Sequence, residues 1–171
     1  FMTNPNDPLL IGKSLAVSFH VTGDTGPMTY HAKSLQTSYL SERGSAPVSQ
    51  SEDETAFPYA TTSWFFLDAL DMNMRVPTQV IVAFGDSISD GSGATINGFD
   101  RWPDVVARRL YAKFGNTVSL VNQGIGGNQV IGPPDDTPPA DRLGGISALS
   151  RLERDIVSMT GVSTIIWLEG I

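Results

Sequence analysis

Gln79 to Gly93 reads QVIVAFGDSISDGSG, and the fold turns on how this stretch is read. The apolar run Val80 to Phe84 is cut by Gly85 and followed at once by Asp86, Ser87, Ile88, Ser89 and Asp90. A short run rich in apolar and β-branched residues, closed by a Gly/Asp/Ser cluster, predicts a buried strand that ends in a tight turn. Ligands of open α/β sheets collect outside the carboxyl ends of the strands, so a serine in that turn stands where chemistry is done. Ser87 is therefore the candidate nucleophile.

Downstream, strands and helices alternate. Pro103 fits the first helical position, and Val106, Leu110 and Phe114 form a stripe before the Gly115-Asn116 stop. Val118 to Val121 predicts a second short strand, which runs into Asn122-Gln123-Gly124-Ile125-Gly126-Gly127-Asn128. Leu149, Leu152, Ile156 and Met159 keep helical spacing, Gly161 stops that helix, and Thr164 to Leu168 predicts a third strand entering Glu169-Gly170-Ile171. Such alternation implies a doubly wound parallel α/β sheet over residues 77–171.

Residues 1–76 read differently. Leu15, Val17, Phe19 and Val21 alternate with Ser18, His20 and Thr22, which predicts a half-buried strand with His20 on its wet face. Tyr30 to Tyr39 predicts another strand, Trp64 to Leu67 is a compact apolar run, and Leu70, Met72, Met74 and Val76 alternate with polar residues. The expectation is a small β-sandwich-like domain ahead of Pro77, with Ser41 to Glu54 as an exposed loop.

The bulk properties bound the function. At 171 residues the chain can bury one core, or a small domain and part of another. A net charge of −7 without a basic patch speaks against a nucleic-acid partner, which needs clustered Lys and Arg to displace counterions. The absence of cysteine rules out a disulfide framework and a thiolate metal site. No apolar run approaches the ~20 residues of a membrane span, and Phe1-Met2-Thr3-Asn4 lacks the regions of a signal peptide. Phe1 is not a natural start, which predicts that something was removed upstream or added.

All three predicted strands end in glycine-bearing turns, at Gly85-Asp86-Ser87, Gly126-Gly127-Asn128 and Gly170-Ile171. In a parallel sheet those ends share one edge, so residues distant in sequence converge. A serine beside close-approaching glycine backbones suits acyl transfer: the hydroxyl attacks a carbonyl, and backbone N–H groups receive the charge that develops on oxygen. Asp86 and Asp90 are expected to hydrogen-bond within the serine turn rather than to bind a metal, since oxygen-ligand loops use denser acids at fixed alternation.

Gly85-Asp86-Ser87-Ile88 resembles the GDSL signature of the SGNH hydrolases, and Asn122 to Asn128 resembles that family's second block. The resemblance implies a flavodoxin-like sheet of SGNH type, represented here by its N-terminal part. It implies Ser87 as nucleophile, the N–H groups of Ser87 and Gly127 as oxyanion donors, and Asp86, Asp90 and Asn122 in support. Leu168-Glu169-Gly170-Ile171 resembles the opening of the third block, whose oxyanion-hole asparagine would come next. The fourth block, an Asp-x-x-His carrying the base and its orienting carboxylate, has no counterpart. His20 and His31 both precede the serine, where the family's base does not lie.

The activity implied is that of a serine esterase hydrolysing small acyl esters, acetyl or short-chain and including those of carbohydrates, through an acyl-enzyme, with no metal or cofactor. The β region followed by Gly85 to Ser89 also resembles a subgroup of secreted or envelope-associated bacterial and fungal esterases, and that likeness alone suggests a compartment. Ile165 to Leu168 is a continuous apolar run suited to a strand covered on both faces, and such an edge left bare invites aggregation. A second polypeptide or further segment is thus expected to pair beside it and bring the missing Asn, Asp and His.

Rival readings are a non-catalytic carbohydrate-binding or adhesion module on the same scaffold, and a nucleotide-binding α/β domain. Gly124-Ile125-Gly126 opens like a dinucleotide fingerprint, but Gln129 stands where the third glycine belongs. Ser89 occupies the last position of a Gly-x-Ser-x-Gly elbow, so the chain is not an α/β-hydrolase. The Pro/Asp-rich loop from Gly132 to Gly145 either walls the substrate pocket or is a passive insertion, and Trp64 and Trp102 read as packing residues.

Overall fold

The computed structural model describes residues 13–134 and 136–170. They part into two compact units between Asn73 and Met74.

In the first unit β1 (Tyr30–His31), β2 (Ser38–Leu40), β3 (Tyr59–Thr61) and β4 (Trp64–Phe65) are very short. They form two antiparallel ribbons, β1 with β4 and β2 with β3. The expected sandwich gives way to these ribbons among the described residues. Leu15 to Thr22 and Leu70 to Val76 form no strand, and Leu15, Val17, Phe19 and Val21 are exposed. Alternation supplies two faces, but a ladder also needs a neighbour to take its N–H and C=O groups. The predicted strand from Tyr30 to Tyr39 breaks in two because the chain turns at Leu35, whose φ is +55°. The Ser34 hydroxyl secures that turn by donating to Thr62 O at 2.6 Å.

The second unit follows the expected alternation. Its elements are β5 (Gln79–Gly85), α1 (Ser87–Asp90), α2 (Trp102–Phe114), β6 (Val118–Gly124), α3 (Ala148–Leu152) and β7 (Val162–Leu168). All three strands are parallel, in the order β6-β5-β7. The first strand of the unit is thus central, as in the flavodoxin-like order, and the chain reverses its direction of winding beside it. Parallel neighbours require crossovers, which α2 and α3 provide.

Val82 and Phe84 point to one face of β5 and bury themselves with Ala148 and Ile156. The second crossover helix does not stay regular as its apolar spacing predicted. After Leu152 it widens into a π turn over Glu153–Val157, which turns both Asp155 and Ile156 inward. On α2, Pro103 is buried in the first turn, and the Arg101 N–H donates to the Asp104 carboxylate at 3.1 Å, closing the helix start. Leu110 and Phe114 border a groove of about 360 Å³ with Gln79, Ile81 and Val118. Gln79 and Val118 open their strands, so this groove lies at the amino edge of the sheet, opposite the serine.

Candidate active site

The strands end level with one another. Gly85 is in register with Gly124 of β6 and with Leu168 of β7. The tips are packed so closely that both glycines are obligatory. A Cβ on Gly85 would collide with the Leu168 carbonyl oxygen, and one on Gly124 with the backbone of Ser89 and Asp90. Close approach here leaves no room for any side chain.

The turn after β5 is braced from several directions. Asp86 caps α1, its Oδ1 accepting from the Ile88 N–H at 3.0 Å, while Oδ2 accepts from the Gly170 N–H at 3.1 Å. Asp90 Oδ2 accepts from the Gly126 N–H at 2.8 Å, tying the end of α1 to the turn after β6. Asn122 reaches across as well: its Nδ2 donates to Ser89 O at 2.7 Å and its Oδ1 accepts from the Gly124 N–H at 2.9 Å. Arg101 Nε donates to Asp90 O at 2.8 Å from the start of α2. Each residue expected to support the serine therefore bonds to backbone of the same edge.

The two serines of the turn differ. Ser89 is fully buried, and its hydroxyl has no hydrogen-bond partner among the described residues. Ser87 is half-buried, and among the described residues nothing bonds its hydroxyl or claims its N–H. Gly127 is exposed, has φ +79° and has an N–H that meets no acceptor among the described residues. Ser87 and Gly127 thus both lie beyond the carboxyl tips of adjacent strands, at one edge of the sheet. His20 is exposed and His31 half-buried in β1, both within the first unit.

Two residues that the sequence reading passed over hold this edge together. Asn128 is buried, and its Nδ2 donates to Gly144 O at 2.7 Å and Ile146 O at 2.8 Å, pinning the far end of the Pro/Asp-rich loop. The loop leaves Ile131 and Leu143 strongly exposed, Leu143 at 94%. Arg151 is completely buried and pairs with Asp155 at 3.1 Å. Burial pulls the Arg151 pKa down and Asp155 pushes it back up, and a guanidinium starts so far above neutrality that it keeps its charge. The available signal was an Arg/Asp pair four residues apart, with Arg151 beside Leu152 and Asp155 beside Ile156 on the apolar stripe.

The geometry also bears on the rivals. A dinucleotide fingerprint needs a helix starting at the glycine turn, whereas the next α-helix after β6 begins only at Ala148. Among the described residues no group of three or more His, Asp or Glu is gathered to hold a metal ion. Nor is any described helix long and apolar enough to cross a membrane.

Residues 83–162 match the model of the GDSL-like lipase/acylhydrolase family. Among solved structures, the chain is similar to AlinE4, described as an SGNH-hydrolase family esterase, at 21% identity and a TM-score of 0.39, over 57% of this chain and 43% of that one. A serine-to-alanine variant of the same esterase matches at 20% identity and an aspartate-to-alanine variant at 21%, both with a TM-score of 0.39. The chain spans less than half the length of these structures. No curated protein matches it. The matched segment takes in Ser87 and the turn from Asn122 to Asn128, the residues that carry the family resemblance. The parallel β6-β5-β7 sheet is consistent with the SGNH-hydrolase fold.

Proposed function

We propose that this chain carries the nucleophile and two oxyanion donors of a serine esterase that hydrolyses small acyl esters, acetyl or short-chain, including esters of carbohydrates. The observation that supports it most is the hydroxyl of Ser87, unbonded among the described residues, on the same sheet edge as the unclaimed N–H groups of Ser87 and Gly127. In the reaction, Ser87 Oγ forms a bond to the acyl carbon and passes its proton to a base. The carbonyl oxygen takes up negative charge and receives the two N–H donors. Collapse expels the alcohol, which recovers the proton, and water then repeats the sequence to free the acid. Asp86, Asp90 and Asn122 act by keeping the turn in place.

A fluorophosphonate tests the nucleophile, because it loses fluoride only to an activated serine. Peptide mass spectrometry of the treated full-length protein is expected to find the phosphonyl adduct on Ser87. An adduct on another residue, or none, would overturn the assignment. The non-catalytic reading is not favoured, since a module that only binds sugar has no need of a hydroxyl and two amides left vacant.

The base and its orienting carboxylate we assign to a further segment or second polypeptide pairing beside β7. One observation supports this: among the described residues β7 is an edge strand, and its Ile165, Ile166, Trp167 and Leu168 are exposed. Denaturing electrophoresis and intact-mass measurement of the active species should show polypeptide beyond these 171 residues. Full activity in a species of this sequence alone would refute it.

A further inference from the structure

We propose that Arg151 is a positioning residue that sets the spacing of the two oxyanion donors, the N–H groups of Ser87 and Gly127. This rests on the esterase reading above and deepens it. The guanidinium bonds to both strand exits that lead to the two proposed donors. Nη2 donates to Gly85 O at 3.1 Å, Nη1 to Gln123 O at 2.9 Å, and Nε to Asn128 Oδ1 at 2.9 Å. Gly85 opens the turn that carries Ser87, Gln123 is the penultimate residue of β6, and Asn128 directly follows Gly127. One rigid planar group therefore fixes the exit of β5, the exit of β6 and the neighbour of the second donor.

Fold stability alone does not call for this arrangement. Gly85 O already accepts the Ile125 N–H at 3.0 Å, so its hydrogen-bonding need is met without Arg151. A buried ion pair such as Arg151 with Asp155 contributes little net stability compared with apolar residues of similar volume. The surroundings would accept an apolar side chain: the guanidinium carbon lies 3.9 Å from the centroid of the Phe84 ring, within the core built on Val82 and Ile156. What an apolar residue cannot do is hold carbonyls of two strands and a loop amide in one plane. Lysine, a compact charge on a flexible stem, cannot reproduce the fork either.

The test uses the full-length protein with a short p-nitrophenyl ester, rates being expressed per folded molecule. Arg151→Lys is expected to lower kcat about 10- to 100-fold with KM nearly unchanged, the signature of displaced donors rather than lost substrate contacts. Added guanidinium should restore part of kcat to Arg151→Ala, while sodium chloride at equal ionic strength should not. Asn128→Ser, which removes the Nε bond together with the amide's own bonds to Gly144 O and Ile146 O, should give a smaller loss of kcat, whereas Asn128→Asp, which keeps an acceptor for Nε and loses only those two, should retain most of it; this pair carries the test if the Arg151 variants do not fold. Normal kcat per folded molecule in Arg151→Lys and Asn128→Ser, beside a wild type whose turnover depends on Ser87, would overturn this inference alone. A wild type without Ser87-dependent turnover would overturn the esterase reading and this inference with it.

Discussion

Replacing Ser87 with alanine is expected to lower ester turnover of the full-length protein by roughly three to six orders of magnitude, the range found when an acyl-enzyme nucleophile is deleted. The expectation is specific because the same turn provides its own control. Ser89 lies two residues away, fully buried and with a hydroxyl unbonded among the described residues. Ser89→Ala removes a buried polar group that satisfies nothing, so it should leave kcat close to wild type and leave stability unchanged or raised. Ser87→Ala deletes a hydroxyl with no bond to lose, so its urea midpoint should shift by no more than about 0.5 kcal/mol in stability. Initial-rate assays with p-nitrophenyl acetate, paired with urea titrations, read both effects. Equal losses of rate in the two variants would mean that the turn, not the Ser87 oxygen, was being measured.

Gly85→Ala should be the most damaging single change to the fold of the second unit, at about 3 to 5 kcal/mol. Its Cβ would meet the Leu168 carbonyl oxygen, which is main chain in an adjacent paired strand and cannot swing aside. Relief requires β5 and β7 to separate at their tips, and the same movement would stretch the bond from the Asp86 N–H to Leu168 O. Activity should vanish even in the fraction that remains folded, because the strain enters two residues before Ser87, the proposed nucleophile. Gly23→Ala is the matching control: none of the described residues lies within 4 Å of the added carbon, and the expected change is within about 0.5 kcal/mol. Chemical denaturation followed by the tryptophans distinguishes the two.

The legible parts of this chain were those in which local pattern and tertiary context agree. Val80 to Phe84, Val118 to Val121 and Thr164 to Leu168 all fall within the observed strands, since an apolar run closed by glycine suits a buried parallel strand and little else. Val106, Leu110 and Phe114 likewise lie on α2. The alternating runs Leu15 to Thr22 and Leu70 to Val76 form no strand, because alternation describes a strand's faces without supplying its partner. At the site, the bond of Asp86 to the Ile88 N–H follows from its place in a turn, whereas Asp90 bonds across to the Gly126 N–H of the next turn rather than within its own, and Arg151 carries no comparable sign. A charged residue inside an apolar helical stripe looks like an interruption until the carbonyls of Gly85 and Gln123 are seen to converge on it.

The hydrogen bond from the Gly170 N–H to Asp86 joins residues 84 positions apart. During synthesis the serine turn therefore leaves the ribosome long before its brace exists, and the nascent chain carries an unfinished elbow until the last strand of this unit has emerged. Contacts of such long range form late because their loop-closure entropy must be met first. The Ser87 hydroxyl, which we propose as the nucleophile, would thus be set in its final attitude only once the surrounding sheet is in place.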